Sequence, residues 1–335
     1  MHGLKKTKDT QYLFLSANIR ALQTKMVGTQ ALQKMISAAS PEEAYKTVND
    51  AGIGADIDYK DFESALTQEL ASTYERLEKA SDDPEMFKIF RYKYDGHNLK
   101  TLIKAHVSHL DAEPLLSPLG TVDCKTLRNG LRNGDFGTLN PQLALAAVQA
   151  RDNLAKANDP QMVDVIIDRA VLQCMSELAK QYKSRFLNQL VEAYIDIANI
   201  RCFVRIKRIG QELNFLKEVL AQGGSIPVDR YFELYLKNFD DFFEMLDSTV
   251  YGPALSSSYD AVKNKGSLSG FEKLCDNFMV GVLKQSRFVP FGIEPVLSYL
   301  VAKENEAQAI RIVMASKIAG VAPEKITERL RETYA

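Results

Sequence analysis

Asp196-Ile-Ala-Asn199-Ile200-Arg201 has two relatives in the same chain, Asp95-Gly-His-Asn98-Leu99-Lys100 and Glu306-Ala-Gln-Ala309-Ile310-Arg311. In each, an acid stands five residues before a base, and a branched aliphatic residue directly precedes that base. The three bases are 101 and 110 residues apart, and each is followed at its second and third positions by two apolar residues: Leu102-Ile103, Phe203-Val204 and Val313-Met314. Gly210 and Gly320 stand nine residues past Arg201 and Arg311, where a helix end favours a residue that tolerates positive φ. Elsewhere apolar residues recur at helical spacing, as in Leu66, Leu70, Tyr74 and Leu77, then Leu172, Met175, Leu178 and Leu187. Strand-like alternation between Asn-Gly or Gly-Gly turns is almost absent. The pattern predicts an all-α fold of three related helical units, stacked and sharing a core. Proline and glycine breaks at 111–120 and 221–229 divide the chain into units 1–115, 116–222 and 223–335; a third break lies at 287–295.

The motif also predicts what its polar residues do. At about 100° per residue, Asp196 lies about 40° from Ile200, so it and Asn199 border the stripe of Ile200, Phe203 and Val204 that must be buried. A carboxylate brought into a core is costly unless it is hydrogen-bonded or paired, and an i to i+5 spacing puts Asp196 and Arg201 on different helix faces. The expectation is that Asp95, Asn98, Lys100, Asp196, Asn199, Arg201, Glu306 and Arg311 are structural helix anchors, each acid bonding to a neighbouring helix. Three similar copies about a hundred residues apart suggest architecture rather than one catalytic centre. Ala309 replaces the asparagine of the earlier copies, so the three polar networks are not equivalent.

Composition narrows the function classes. The chain has 335 residues, 46% hydrophobic and 25% charged, with a net charge of -1. That balance gives an ample core but no field to draw the protein onto nucleic acid or an anionic surface, so the expected partners are proteins. Cys124, Cys174, Cys202 and Cys275 are scattered, which argues against a zinc site or a disulfide framework and for a reduced, cytoplasmic setting. The basic start Met1–Lys6 leads into Lys8, Asp9, Arg20 and Lys25 rather than an apolar run, so no signal peptide is expected. No stretch reaches the roughly 18 apolar residues of a membrane span. Any membrane association is expected to run through other proteins.

Several local features read more simply as scaffold. His106 and His109, with His97 upstream, have metal-ligand spacing, but no third ligand accompanies them and Lys104 opposes a cation. Gly52-Ile-Gly54 lacks the rest of a phosphate loop and reads as the close of a helix. The stretch from Arg311 to Tyr334 has a helix-turn-helix outline, yet Glu324, Glu328 and Glu332 offset Lys325, Arg329 and Arg331, so no basic face is offered to DNA. Phe239-Asp-Asp-Phe-Phe-Glu244 reads as core. No catalytic group, cofactor, metal ion or small-molecule ligand is expected.

The motifs resemble a known family. Tyr94-Asp-Gly-His-Asn-Leu-Lys100 and Tyr194-Ile-Asp-Ile-Ala-Asn-Ile-Arg201 are similar to repeated segments of the C subunit of the V-type (archaeal/vacuolar-type) ATP synthase. The most specific match is Pro295-Val-Leu-Ser-Tyr-Leu-Val-Ala-Lys-Glu-Asn-Glu-Ala-Gln-Ala-Ile-Arg311, followed by Gly320-Val-Ala-Pro-Glu-Lys-Ile-Thr-Glu-Arg-Leu-Arg-Glu-Thr-Tyr334. A stretch from Tyr12 to Arg20 also fits. The resemblance implies a three-part, pseudo-threefold, funnel-shaped helical protein with a central cavity, equivalent to the d subunit of the eukaryotic V-ATPase. It further implies a non-catalytic rotor subunit that receives the central stalk and sits on the proteolipid ring, peripheral on the inner face of the membrane. In that position it couples ATP hydrolysis or synthesis to proton or sodium transport. The alternatives are a helical-repeat adaptor with unrelated protein partners and an all-α enzyme using scattered acids such as Asp58 and Asp61. The enzyme reading lacks any nucleophile-base, metal-ligand or phosphate-loop grouping.

Overall fold

The computed structural model describes residues 12–264 and 266–334; the basic start Met1–Lys6 and the opening of the first repeat unit lie outside the described residues. The helices run α1 (Leu13–Gln23), α2 (Thr29–Ser37), α3 (Pro41–Asp50), α4 (Phe62–Ala80), α5 (Lys88–Ser108) and α6 (Cys124–Asn133). They continue with α7 (Pro141–Ala157), α8 (Pro160–Ala179), α9 (Arg185–Ile209), α10 (Leu213–Val219), α11 (Val228–Tyr235) and α12 (Phe239–Asp247). The last are α13 (Gly252–Leu255), α14 (Tyr259–Lys263), α15 (Ser269–Lys284), α16 (Ile293–Ile318) and α17 (Pro323–Arg329). No strand occurs among the described residues, as the all-α reading requires. The three motif copies fall on α5, α9 and α16, the three longest helices.

By contact the chain forms two compact units: Glu85–Phe242, and the described residues up to Pro84 together with those from Phe243 onward. In the first, α5 and α7 pack on α8, with α9 on the same helix. The starts are set locally. Asp123, Asn140, Asp159 and Ser184 accept a backbone N–H of the first turn of α6, α7, α8 and α9, and Pro141 and Pro160 open α7 and α8. Each such cap contributes about 1 kcal/mol. The ends are set by backbone handedness: α5, α7 and α9 stop at His109, Asn158 and Gly210 with φ of 53°, 53° and 76°.

Gly96 lets α5 approach α8 closely, since a Cβ there would stand 2.6 Å from Val171 Cγ2. On α9, Phe203 stacks on Phe242 at 4.1 Å between ring centres and meets Tyr231 at 5.7 Å. Lys207 donates to the carbonyls of Leu234, Tyr235 and Lys237, which closes the C-terminal end of α11. The aromatic run at 239–244 is therefore core at Phe242 and Phe243.

In the second unit α16 is the central element, with 18 of its 26 residues buried. A helix buried on most of its circumference needs partners all round, and α16 packs against α1, α2, α3, α4, α15 and α17. Its start is pinned by α1: Ser16 Oγ donates to the Gly292 carbonyl at 3.1 Å and Arg20 to that of Val289 at 2.6 Å. Gly320, with φ of 68°, turns the chain out of the helix. Gly52 and Gly54, with φ of 85° and 64°, form the turn after α3.

Candidate functional site

Asp95 is completely buried on α5, and its carboxylate faces the loop before α6. Thr121 donates twice to it, from its backbone N–H at 2.8 Å and from Oγ1 at 2.7 Å. One turn along, Asn98 Nδ2 donates to the Ser117 carbonyl and Asn98 Oδ1 accepts the Ser117 N–H, both at 2.8 Å. The side chain thus closes a ring on the loop backbone as another peptide unit would. On α9 the arrangement repeats. Ser225 donates to Asp196 from its N–H at 2.8 Å and from Oγ at 2.6 Å, and Ile226 N–H adds a third bond at 3.2 Å. Asn199 exchanges the same pair of bonds with Ala221, at 2.8 and 2.9 Å. In both copies the amide's partner precedes the hydroxyl residue by four positions, and a glycine stands between them. A Cβ on Gly120 would lie 2.4 Å from Asp95 Oδ1, and one on Gly224 2.1 Å from Asp196 Oδ1.

The partners differ from the sequence expectation. Each acid was expected to bond to a neighbouring helix, but Asp95 bonds to the loop between α5 and α6 and Asp196 to the loop between α10 and α11. Helical N–H groups already have partners, whereas the N–H groups of a buried loop have none until a side chain supplies an acceptor. Burial raises the Asp95 carboxyl to about 6, outweighing the Thr121 and Val122 donors and the charge of Arg91, which all favour the anion. The bases turn elsewhere. Lys100 pairs with Asp168 of α8 at 2.6 Å, and Arg201 is half-buried on α9.

The third copy is built differently. Glu306 accepts the N–H of Val27 and pairs with Lys303 one turn back on α16. Lys303 also reaches Glu69 of α4 at 2.8 Å, and Tyr74 donates to Glu304 at 2.6 Å. Lys303, Glu304 and Glu306 are all buried. Burial raises the Glu306 carboxyl from its ordinary value against the opposing effect of Lys303. For Lys303 burial favours the neutral amine, but Glu306 and Glu69 together hold it charged and raise its pKa. Arg311 meets Glu63 of α4 with Nε 2.8 and 2.9 Å from the two carboxylate oxygens.

Val27 occupies a recognisable place. It directly precedes Gly28, the N-cap of α2, as Ile226 precedes Pro227 before α11 and Val122 precedes Asp123 before α6. Each acid therefore takes a backbone N–H from the residue just before the cap of a short helix. For Glu306 that residue comes from the beginning of the chain. The loop partners Ser117, Thr121, Ala221, Ser225 and Val27 were not identified from sequence. A usable signal existed in Gly-Thr121 and Gly-Ser225, a small residue and a hydroxyl at similar distance past the acid.

The remaining sequence candidates are dispersed. His97 contacts the Leu115 carbonyl at 2.8 Å, His109 caps α5, and His106 is exposed. Among the described residues no three side chains of metal-binding type converge, and no helix is long and apolar enough to cross a membrane.

Comparison with known proteins gives a consistent placement. A model of the ATP synthase (C/AC39) subunit family matches residues 15–329. The C subunit of the V-type sodium ATPase of Enterococcus hirae is 25% identical, over 97% of this chain and 99% of that one. The C subunit of the A-type ATP synthase of Methanocaldococcus jannaschii is 24% identical over 95% of this chain and 86% of its own. That of Haloferax volcanii is 26% identical, with 95% and 96% covered. With the match running from α1 to the end of α17 and taking in all three acid-bearing helices, the chain belongs to the ATP synthase (C/AC39) subunit family.

Proposed function

We propose that this chain is a non-catalytic rotor subunit of a rotary V/A-type ATPase, joining the central stalk to the membrane proteolipid ring. In that role it couples ATP hydrolysis or synthesis to proton or sodium transport, from a cytoplasmic, peripheral position on the inner face of the membrane. The single observation that carries the reading is the family match along nearly the whole chain, shared with relatives named as the C subunits of such enzymes. The anchor residues suit the role. A body that transmits torque must resist shear, and Asp95, Asn98, Asp196, Asn199 and Glu306 hold loop backbone to the long helices by buried bonds rather than by exposed ion pairs. Lys100, Arg201 and Arg311 belong to the same proposed framework as helix-to-helix ties. The division into three repeat units, 1–115, 116–222 and 223–335, in a pseudo-threefold funnel around a cavity, is part of this proposal.

Affinity purification of the tagged chain from source membranes tests it. Central-stalk and proteolipid subunits are expected in the eluate; recovery of clean monomer without any ATPase component would sink the reading. ATP hydrolysis by the purified chain alone would overturn its non-catalytic part.

A further inference from the structure

The group built around Glu306 carries an unbalanced charge. Lys303 stands between two carboxylates, 2.8 Å from Glu69 of α4 on one side and paired with Glu306 on the other. With all three ionised the sum is one negative charge. Two of the three side chains are shut from water, Lys303 being 6% exposed and Glu306 3%, while Glu69 at 28% gives the group its edge on solvent. A buried charge without a counter-charge is costly, and two changes relieve it: a proton on the group, or access of water to Glu306. The second requires the segment over Glu306 to move. That segment is Val27, whose backbone N–H donates to Glu306, and α2, which follows it and packs on α16. With nine residues α2 is too short to persist as a helix alone, so its seat on α16 is what holds it.

The charges around the group come from α16 and α4. Tyr299 lies on the same face of α16 as Lys303 and Glu306; burial raises its phenol, and Lys303, Glu69, Arg76 of α4 and Glu306 also act on it. Tyr74 of α4 donates to Glu304 at 2.6 Å, and Arg311 with Glu63 closes the same α16–α4 seam further along. Charges on the other elements packed against α16 are engaged elsewhere: Arg20 of α1 on the carbonyls of 286–289, Lys34 of α2 with Asp50 of α3, Lys284 of α15 with Glu332, and Asp276 of α15 with Arg331. Burial raises the Glu306 carboxyl and Glu69 adds to that, against Lys303 and the Val27 donor. Lys303 stays charged, since Glu306 and Glu69 outweigh its burial. The carboxyl side of the group is therefore where a proton is gained or lost.

We propose that the Glu69–Lys303–Glu306 group is a pH-sensitive latch: the segment from Val27 through α2 is held closed on α16 when the group carries an extra proton, and loosens when that proton is lost. The latch adds to the anchoring of Glu306 and does not rest on the rotor reading. Opening lets water reach Glu306 and returns its carboxyl towards the ordinary 4.5, so closure takes up a proton; this contribution to closure is complete below 4.5 and is lost as pH rises through the raised value. Native-state hydrogen exchange on the full-length chain, at pH 4.5 and at about pH 7.5, reads the latch. Protection factors of the buried α2 positions Leu32, Met35 and Ile36 are divided by those of α15, which belongs to the same unit. The ratio should fall severalfold from the lower pH to the higher, by about tenfold for each pKa unit that closure adds. Glu306→Gln keeps an oxygen for the Val27 N–H but cannot titrate, and Glu69→Gln removes the excess charge without touching that bond. In either variant the fall should vanish or reverse, with melting curves showing that the chain is folded; if Glu306→Gln does not fold, Glu69→Gln alone decides. A ratio independent of pH in the unmodified chain would overturn the latch, as would a fall that survives Glu69→Gln undiminished.

Discussion

Asp95 and Asp196 occupy the same position in two copies of one motif, and a different substitution tests each. The Asp95 carboxyl titrates at about 6 when folded and at 3.8 when free. The folded state therefore holds this proton more tightly, so its contribution to stability is complete below about 3.8 and is lost as pH rises through about 6. The full change is about 3 kcal/mol. Asp95→Asn keeps the shape without the proton, so urea titrations should show the variant gaining on the unmodified chain between pH 5 and pH 7.5. A constant difference across that range would contradict the assignment. Asp196→Ala is a test of satisfaction rather than charge. It leaves Ser225 N–H, Ser225 Oγ–H and Ile226 N–H without an acceptor, each orphaned group costing about 1–3 kcal/mol. Its melting temperature should fall well below that of a surface substitution such as Glu324→Ala, and an unchanged value would refute the anchoring role. At this scale the sequence was half informative. Helical spacing showed that Asp95, Asn98, Asp196 and Asn199 border buried stripes, but it carries no information about which loop returns to meet them.

Elements were the most legible level, because periodicity reports burial along a helix directly. The three motif helices and the glycines that end α9 and α16 could all be read from spacing. Close approach between helices could not, since it depends on the partner's side chain as much as on the small residue itself. Gly96 is the example. Within its own motif it reads only as a weak helix former, and its use appears when Val171 of α8 is placed against it. Gly96→Ala would improve helix propensity by about 1 kcal/mol if α5 stood alone. In the folded unit, overpacking against Val171 should dominate and destabilise by about 1–3 kcal/mol. Adding Val171→Ala should return much of that loss, although Val171→Ala is itself destabilising. Such non-additivity in denaturant midpoints is the signature of direct contact. Strictly additive losses would place the cost of Gly96→Ala elsewhere.

At the scale of the whole molecule, the connectivity was not legible. Glu306 was found because it repeats Asp95 and Asp196, but reading its copy as a linear unit looks for the donor downstream of α16. The donor is instead Val27, before α2. Fold-level closure of this kind leaves no trace in local spacing. Removal of residues 1–37 should therefore deprive Glu306 of its buried Val27 donor and uncover the α1 and α2 sides of α16. Hydrogen exchange should show α16 amides losing protection while those of α9 serve as the unchanged reference. Undiminished protection of α16 would disprove the dependence. The same closure shapes biosynthesis. A ribosome releases α1 to α4 first and α16 nearly last, at about 5–20 residues per second. The apolar faces of those first four helices consequently wait roughly ten to forty seconds for the helix that covers them. During translation those faces stay open to water, and to one another, until α16 arrives.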